Sequence, residues 1–230
     1  MLDRNVHRAI LLQILKETYS DHSLGPILGL KGGTAAHLFY GLGRFSVDLD
    51  FDLLDESKEN YIFDRMEAIL KNFGTLKEKY KKRHTVFFLL SYNEQAQNIK
   101  VEVDLRSFGS RYEVKTCLGI SMLVMVKEDM FAHKLVAMLE RRKLASRDIY
   151  DVWFFLKSNW QVNKEIIERR TGIRFSDHLK ECVEFLESLS NRGVLSGMGE
   201  LLDEKQKVWA KANLLKDVSF LLRVRLEAEK

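Results

Sequence analysis

The sequence predicts an α+β protein: a mixed β-sheet with flanking helices, followed by a C-terminal helical bundle. Three observations predict it. Residues 27–53 read as strand, glycine turn, short helix and a second strand with strict two-residue alternation. Further alternating or apolar runs of strand length continue to about residue 126. From Lys127 onward the apolar residues recur only at helical spacing.

Composition sets the bounds. The chain has 230 residues, enough for one large or two small domains with proper cores. It is 46% hydrophobic and 30% charged, the profile of an ordinary soluble protein. A net charge of +4 permits nucleic-acid binding without arguing for it. Cys117 and Cys182 are far apart and lack metal-ligand spacing, so free thiols in a reducing compartment are expected. No leader or membrane-spanning run is evident, so a cytoplasmic setting without membrane partners is expected.

Taken in order, residues 4–19 form an amphipathic helix with Val6, Ile10, Leu11, Ile14 and Leu15 inward. The apolar run Ile27-Leu28-Gly29-Leu30 ends in Lys31-Gly32-Gly33. Adjacent glycines let the backbone turn sharply and approach a bulky ligand. A helix over 34–40 follows, and its first N–H groups suit a phosphate. In Arg44–Leu53, Ser46, Asp48, Asp50 and Asp52 share one strand face, and Phe45, Val47, Leu49, Phe51 and Leu53 share the other. Two neighbouring carboxylates repel unless a cation lies between them, and hard oxygen donors on a short span suit Mg2+. An edge strand with a solvated acidic face is the competing explanation.

Residues 61–73 read as a helix capped by Gly74. A weak strand at 76–80 and a clear one at 84–92 follow, flanked by the basic cluster Lys77, Lys79, Lys81, Lys82 and Arg83. That cluster is a solvated turn or a contact surface for an acidic substrate such as RNA. Ile99–Arg106 alternates again, with Lys100, Glu102, Asp104 and Arg106 on one side, and pairs antiparallel with 84–92. Another strand region spans 111–126. Helices follow at 128–140 and 147–156, and residues 164–230 are helical with a break at 193–199. Their expected inner positions include Leu201, Leu202, Val208, Leu214, Leu215, Val218 and Phe220. The tryptophans are expected in cores or interfaces.

Lys31-Gly32-Gly33-Thr34-Ala35 and, further on, Arg44-Phe45-Ser46-x-Asp48-x-Asp50-Phe51 resemble the first motif of the DNA-polymerase-β-type nucleotidyltransferases. Within that superfamily the chain is similar to the AbiEii/AbiGii-type toxins. The segment from Lys134 through Arg147, Asp148 and Asp151 resembles that family's later motif. The resemblance implies a nucleotidyltransferase-type sheet domain at 1–120 and a helical domain at 121–230 that closes over it. It implies transfer of an NMP from an NTP to a hydroxyl, with Asp48 and Asp50 holding two Mg2+ ions. Glu102 or Asp104 would complete the set; the run Ile99-Lys100-Val101-Glu102 favours Glu102, while aspartate is the commoner residue type. Gly32, Gly33, Thr34 and Ser46 would bind the triphosphate, Lys134 would add charge, Asp148 would line the nucleotide pocket, and Arg44 would orient the loop or the phosphates. Asp148 and Asp151 could instead make structural ion pairs. The implied acceptor is RNA, a tRNA 3′ end, with an antitoxin or regulator as partner. The same fold could modify a protein or a small molecule, or bind nucleotide without turnover.

Overall fold

The computed structural model describes residues 2–140 and 146–229, and the chain divides into two compact units. The first comprises Met1–Gly41, Phe45–Ser107 and Arg111–Met125; the second comprises Leu42–Arg44, Phe108–Ser110 and Val126–Lys230. Each is described on its own terms.

The first unit is built on a seven-stranded mixed sheet in the order β3-β4-β5-β2-β1-β7-β6. Its strands are β1 (Leu28–Lys31), β2 (Leu49–Leu53), β3 (Thr75–Lys82), β4 (Thr85–Ser91), β5 (Ile99–Asp104), β6 (Tyr112–Cys117) and β7 (Ile120–Met125). β1 with β7 and β2 with β5 pair parallel; the other neighbours pair antiparallel. Three helices accompany them: α1 (Arg4–Ser20), α2 (Gly32–Phe39) and α3 (Glu59–Leu70).

Alternation places the core. Leu49, Phe51, Leu53, Val86, Phe88, Leu90, Ile99, Val101 and Val103 are all buried. Tyr19 of α1 packs on Phe51, and Phe63 of α3 packs on Phe88, so these two helices cover the apolar face. The opposite face carries the acids. β2 begins only at Leu49; Phe45–Asp48 precedes the ladder, although Phe45 and Val47 are buried as the alternation requires.

Three local expectations are corrected or refined. Val6 is 48% exposed, and His7 takes its place on the inner stripe of α1 with Leu11, Ile14, Leu15 and Thr18. The helix is rotated because the imidazole has hydrogen-bond partners inside. α3 ends at Leu70, so Gly74 is not its cap. A Cβ at Gly74 would lie 2.3 Å from the Ser91 carbonyl oxygen, so glycine there permits the β3–β4 approach. Residues 111–126 hold two strands, joined by a turn in which Leu118 and Gly119 both have positive φ. That is a primed hairpin turn, and leucine is an unusual first residue for it.

The second unit contains α4 (Lys127–Glu140), α5 (Ser146–Lys157), α6 (Lys164–Thr171), α7 (Phe175–Ser188) and α8 (Glu204–Glu227). Asp203 and Gln206 form a capping box at the start of α8. Leu214, Leu215, Val218 and Leu222 are buried, as are Leu201 and Leu202 just before α8. Val208 and Phe220, expected inside, are 70% and 65% exposed because they fall off that stripe. Trp160 stacks on Phe155 at 4.2 Å, and Trp153 lies 4.1 Å from Trp209. Cys182 is a buried free thiol and Cys117 is half-buried. No helix among the described residues is long and apolar enough to cross a membrane.

Gly29 shows how tightly the polar face is packed. A Cβ there would meet the Tyr112 ring at 2.2 Å. Gly29→Ala is expected to cost about 1–3 kcal/mol, the range for overpacking a filled site. The cost should shrink sharply in a Tyr112→Ala background. Urea denaturation of the four proteins of the cycle checks this; strictly additive costs would show that ring and methyl do not collide.

Candidate functional site

The site begins where β1 runs into α2. Lys31 is extended, and Gly32 turns the chain with φ +74°, in the left-handed region. A Cβ on Gly32 would sit 2.4 Å from Asp50 Oδ2. Glycine is therefore required twice here, for the turn and for the approach of the carboxylate. Asp50 lies against the first turn of α2, where unpaired N–H groups and the helix dipole stabilise an anion.

Asp48 is held from several sides. The Thr34 hydroxyl donates to its carbonyl at 2.5 Å, and the Lys100 N–H reaches its Oδ1 at 3.3 Å. The preceding carbonyl, of Val47, is bonded by His7 Nε2 at 2.9 Å. A carbonyl only accepts, so Nε2 carries the proton; Nδ1 then accepts from the Tyr92 hydroxyl at 2.9 Å. His7 is thus a positioning residue that no motif in the sequence marks.

Register brings the acids together. Asp50 opposes Glu102 and Asp52 opposes Asp104 across the parallel β2–β5 pair. Opposed residues point to the same side of a sheet, so these four share one face. Lys31 joins them, opposite Asp50 on β1. Its Nζ lies 2.5 Å from Asp52 Oδ1 and 3.3 Å from Asp104 Oδ2. Burial works against the ammonium, but Asp52 and Asp104 outweigh it and raise its pKa. Asp104 also receives the Arg106 guanidinium on both oxygens at 2.9 Å and the Arg106 N–H at 3.0 Å. Burial would raise its pKa; the bonds from Arg106 and the Lys31 charge bring it down to about 2. The Tyr112 hydroxyl, reached over Gly29, donates to Asp52 Oδ2.

The remaining predicted residues are placed as follows. Gly32, Gly33 and Thr34 form the first turn of α2, and Ser46 is buried in the segment before Asp48. Arg44, Lys134 and Asp148 come together with Asp151 in the second unit. Arg44 Nε and Nη2 each lie 2.6 Å from Asp151, and both residues are almost fully buried. Lys134 Nζ is 2.7 Å from Asp148 and 3.0 Å from Asp151. Burial opposes both cations, and the two aspartates reverse it. Arg147 is half-buried on α5. The basic run Arg141-Arg142-Lys143 lies outside the described residues. Lys31 and Tyr112 belong to the acidic face but went unassigned by sequence reasoning. Lys31 could have been found from its parity with Gly29 on β1; Tyr112 carries no sequence signal.

The mixed sheet, with its diglycine helix start beside paired strand carboxylates, has a nucleotidyltransferase-like fold. The sequence profile of the nucleotidyl transferase AbiEii toxin family, of type IV toxin–antitoxin systems, matches residues 13–206, and the chain belongs to that family. Among solved structures, a Helicobacter pylori protein assigned to the nucleotidyltransferases superposes with a TM-score of 0.62 at 23% identity, over 97% of this chain and 96% of that one. The JHP933 protein of Helicobacter pylori gives 0.57 at 23% identity, over 100% and 96%. An antigenic nucleotidyltransferase-like protein of Paracoccidioides brasiliensis gives 0.50 at 11% identity, over 82% and 93%. These likenesses concern the fold. No curated protein sequence gives a significant match.

The family implies an NTP substrate and, typically, a divalent metal. Among the described residues, no three acid, histidine or cysteine side chains are arranged to hold a metal ion as they stand. The residue types suit such an ion: Asp50 and Glu102 oppose each other in register, and Asp48 lies two residues before Asp50. All three offer hard oxygens.

His7 supports a pH prediction. Burial lowers its pKa below the ordinary 6.5, offset in part by the Val47 bond and the Asp48 charge. Below about pH 6.5 the unfolded chain takes up a proton that the folded chain refuses. Stability therefore falls as pH drops toward the folded pKa and levels off beneath it. His178, also lowered by burial, acts over the same range. His7→Gln keeps an N–H donor without a titrating ring. Its unfolding free energy, measured in urea from about pH 7 to 5, should fall less steeply than that of the wild type; an identical slope would exclude His7 as a contributor.

Proposed function

We propose that the protein moves an NMP from an NTP onto a hydroxyl of an RNA, a tRNA 3′ end, with Mg2+ as the metal. The observation that supports this most is the opposition of Asp50 and Glu102, with Asp48 anchored beside them and the first turn of α2 against Asp50. Asp48, Asp50 and Glu102 would hold the metal, which when bound neutralises charge on the phosphoryl oxygens. Glu102 is preferred over Asp104 because it, and not Asp104, opposes Asp50 across the β2–β5 pair.

The backbone N–H groups at Gly32, Gly33 and Thr34 bind the triphosphate tail. The Thr34 side chain holds Asp48 in place. The acceptor oxygen forms a bond to the α-phosphorus, the bond from that phosphorus to the bridging oxygen breaks, and pyrophosphate leaves. The hydroxyl proton passes to Glu102 or through it to water. In the second unit, Arg44 anchors its loop on Asp151, and Lys134 and Asp148 complete that network. An antitoxin or regulator as partner, and a cytoplasmic setting where NTP and tRNA meet, belong to the same reading.

Asp48→Ala and Asp50→Ala should each reduce incorporation of α-32P-NTP into cellular RNA by on the order of 10²-fold or more, with unfolding midpoints retained. Toxicity on expression in a bacterium should vanish with them. Undiminished incorporation by both variants would refute the assignment, and label appearing in protein or a small molecule instead would refute RNA as acceptor.

Glu102→Gln and Asp104→Asn should part company. Glu102→Gln should match the Asp50 variant in lost transfer. Asp104→Asn should chiefly lose stability, about 1–3 kcal/mol, because Lys31 and Arg106 are left underpaired. The reverse pattern would make Asp104 the third carboxylate.

A further inference from the structure

The basic hairpin β3–β4 is divided by the pleat. Lys79 and Lys81 turn to the helix-covered side, where Lys79 meets Glu67 at 2.7 Å and Lys81 meets Glu59 at 2.8 Å. Tyr80 and Lys82 turn the other way. Followed through the register pairs, Tyr80 opposes Phe87, Phe87 opposes Glu102, and Glu102 opposes Asp50. One straight row thus runs from an aromatic pair to the carboxylates. Lys82 and Lys100 flank it on the same face: Lys82 opposes Thr85, which opposes Asp104, and the Lys100 N–H bonds Asp48.

The two rings are stacked, with centroids 4.7 Å apart and planes 13° from parallel. Lys82 Nζ lies 4.5 Å from the Tyr80 centroid. Both rings are half-buried, whereas Lys82 and Lys100 are exposed. Phe51 and Phe88, the other phenylalanines of strands β2–β5, are fully buried on the opposite face. Core packing therefore does not account for Tyr80 and Phe87. Stacked rings beside cations, open to solvent, suit the bases and phosphates of a single-stranded nucleic acid.

We propose that Tyr80 and Phe87, with Lys82 and Lys100, form the platform that receives the acceptor. The base of the RNA's terminal nucleotide stacks on the ring pair, and the lysines take the phosphates that precede it. Strands lie about 4.8 Å apart, so Phe87 is about 5 Å from Glu102 along the row and about 10 Å from Asp50. A nucleoside covers that reach, and its ribose hydroxyl falls over the acids. The inference rests on the nucleotidyl-transfer reading above and adds where the acceptor sits and what holds it. Stacking is tolerant of base identity, so selectivity for the end's single-strandedness is expected rather than selectivity for sequence.

The test is equilibrium binding of the full-length protein to two labelled oligoribonucleotides that differ only at the 3′ terminus, one with an ordinary base and one abasic. The wild type should prefer the ordinary end by about tenfold, within the range that base–aromatic stacking provides. Tyr80→Leu and Phe87→Leu should abolish that preference, and Tyr80→Trp should keep it. Lys82→Gln and Lys100→Gln should weaken both oligonucleotides alike and lower the salt dependence of binding by roughly 0.7 per lysine. Equal affinity of the wild type for the two ends overturns the platform, as does a preference that survives both leucine variants. So does an absence of RNA binding alongside transfer to a protein or small-molecule acceptor. Binding is read without turnover: a flat result leaves the transfer reaction standing, and base-dependent binding by a protein that transfers nothing overturns the reaction alone.

Discussion

Everything on the polar face depends on the register of one parallel strand pair. β2 and β5 are matched so that residues 50 and 52 oppose 102 and 104. A slip of one residue would turn every acid into the core beneath α1 and α3 and bring Phe51 and Val103 out to water. The buried row Leu49, Phe51, Val101 and Val103 therefore sets the position of the carboxylates as firmly as any polar contact. Parallel neighbours need a crossover, and here it consists of α3 and the β3–β4 hairpin. The route that makes the pairing possible is also the route that lays Tyr80 and Phe87 beside Glu102.

Asp48, Asp50, Asp52, Glu102 and Asp104 on one side of two strands constitute a concentration of like charge that the fold must relieve. Relief is divided by position. Asp52 and Asp104 meet Lys31, Arg106 and the Tyr112 hydroxyl. Asp48 accepts the Lys100 N–H, and Asp50 lies against the first turn of α2. Neutral dipoles stabilise a carboxylate without cancelling its charge.

Much of this was legible in the residues. The alternation of 45–53 and 99–106 marked both acidic strands, and the adjacent glycines marked the turn. What escaped were contacts between residues distant in sequence. Lys31 reaches Asp104 across two strands, Tyr112 reaches Asp52 over Gly29, and Arg44 finds Asp151 107 positions away. Hydrophobic periodicity also misplaced polar groups that earn burial through a partner: His7 displaced Val6 from the inner stripe of α1 because Val47 and Tyr92 satisfy its ring. The β6–β7 hairpin stayed hidden for a local reason, since Leu118 adopts a conformation normally left to glycine, asparagine or aspartate.

The basic hairpin shows why composition alone could not separate a solvated turn from a contact surface. β3 is an edge strand, and lysines on an edge deter pairing with other chains whatever else they do. That role needs charge anywhere along the strand and is indifferent to face. The observed distribution is not indifferent. Lys79 and Lys81 are spent on Glu67 and Glu59 of α3, which fastens the hairpin to the helix layer. Lys82 is paired with an aromatic ring on the side of the acids. Edge protection explains the number of lysines; only the period of the strand, acting on a sequence that alternates Lys79, Tyr80, Lys81 and Lys82 between two environments, explains their division. An anchoring face and an open face on one strand follow from the same pleat that aligns Asp50 with Glu102.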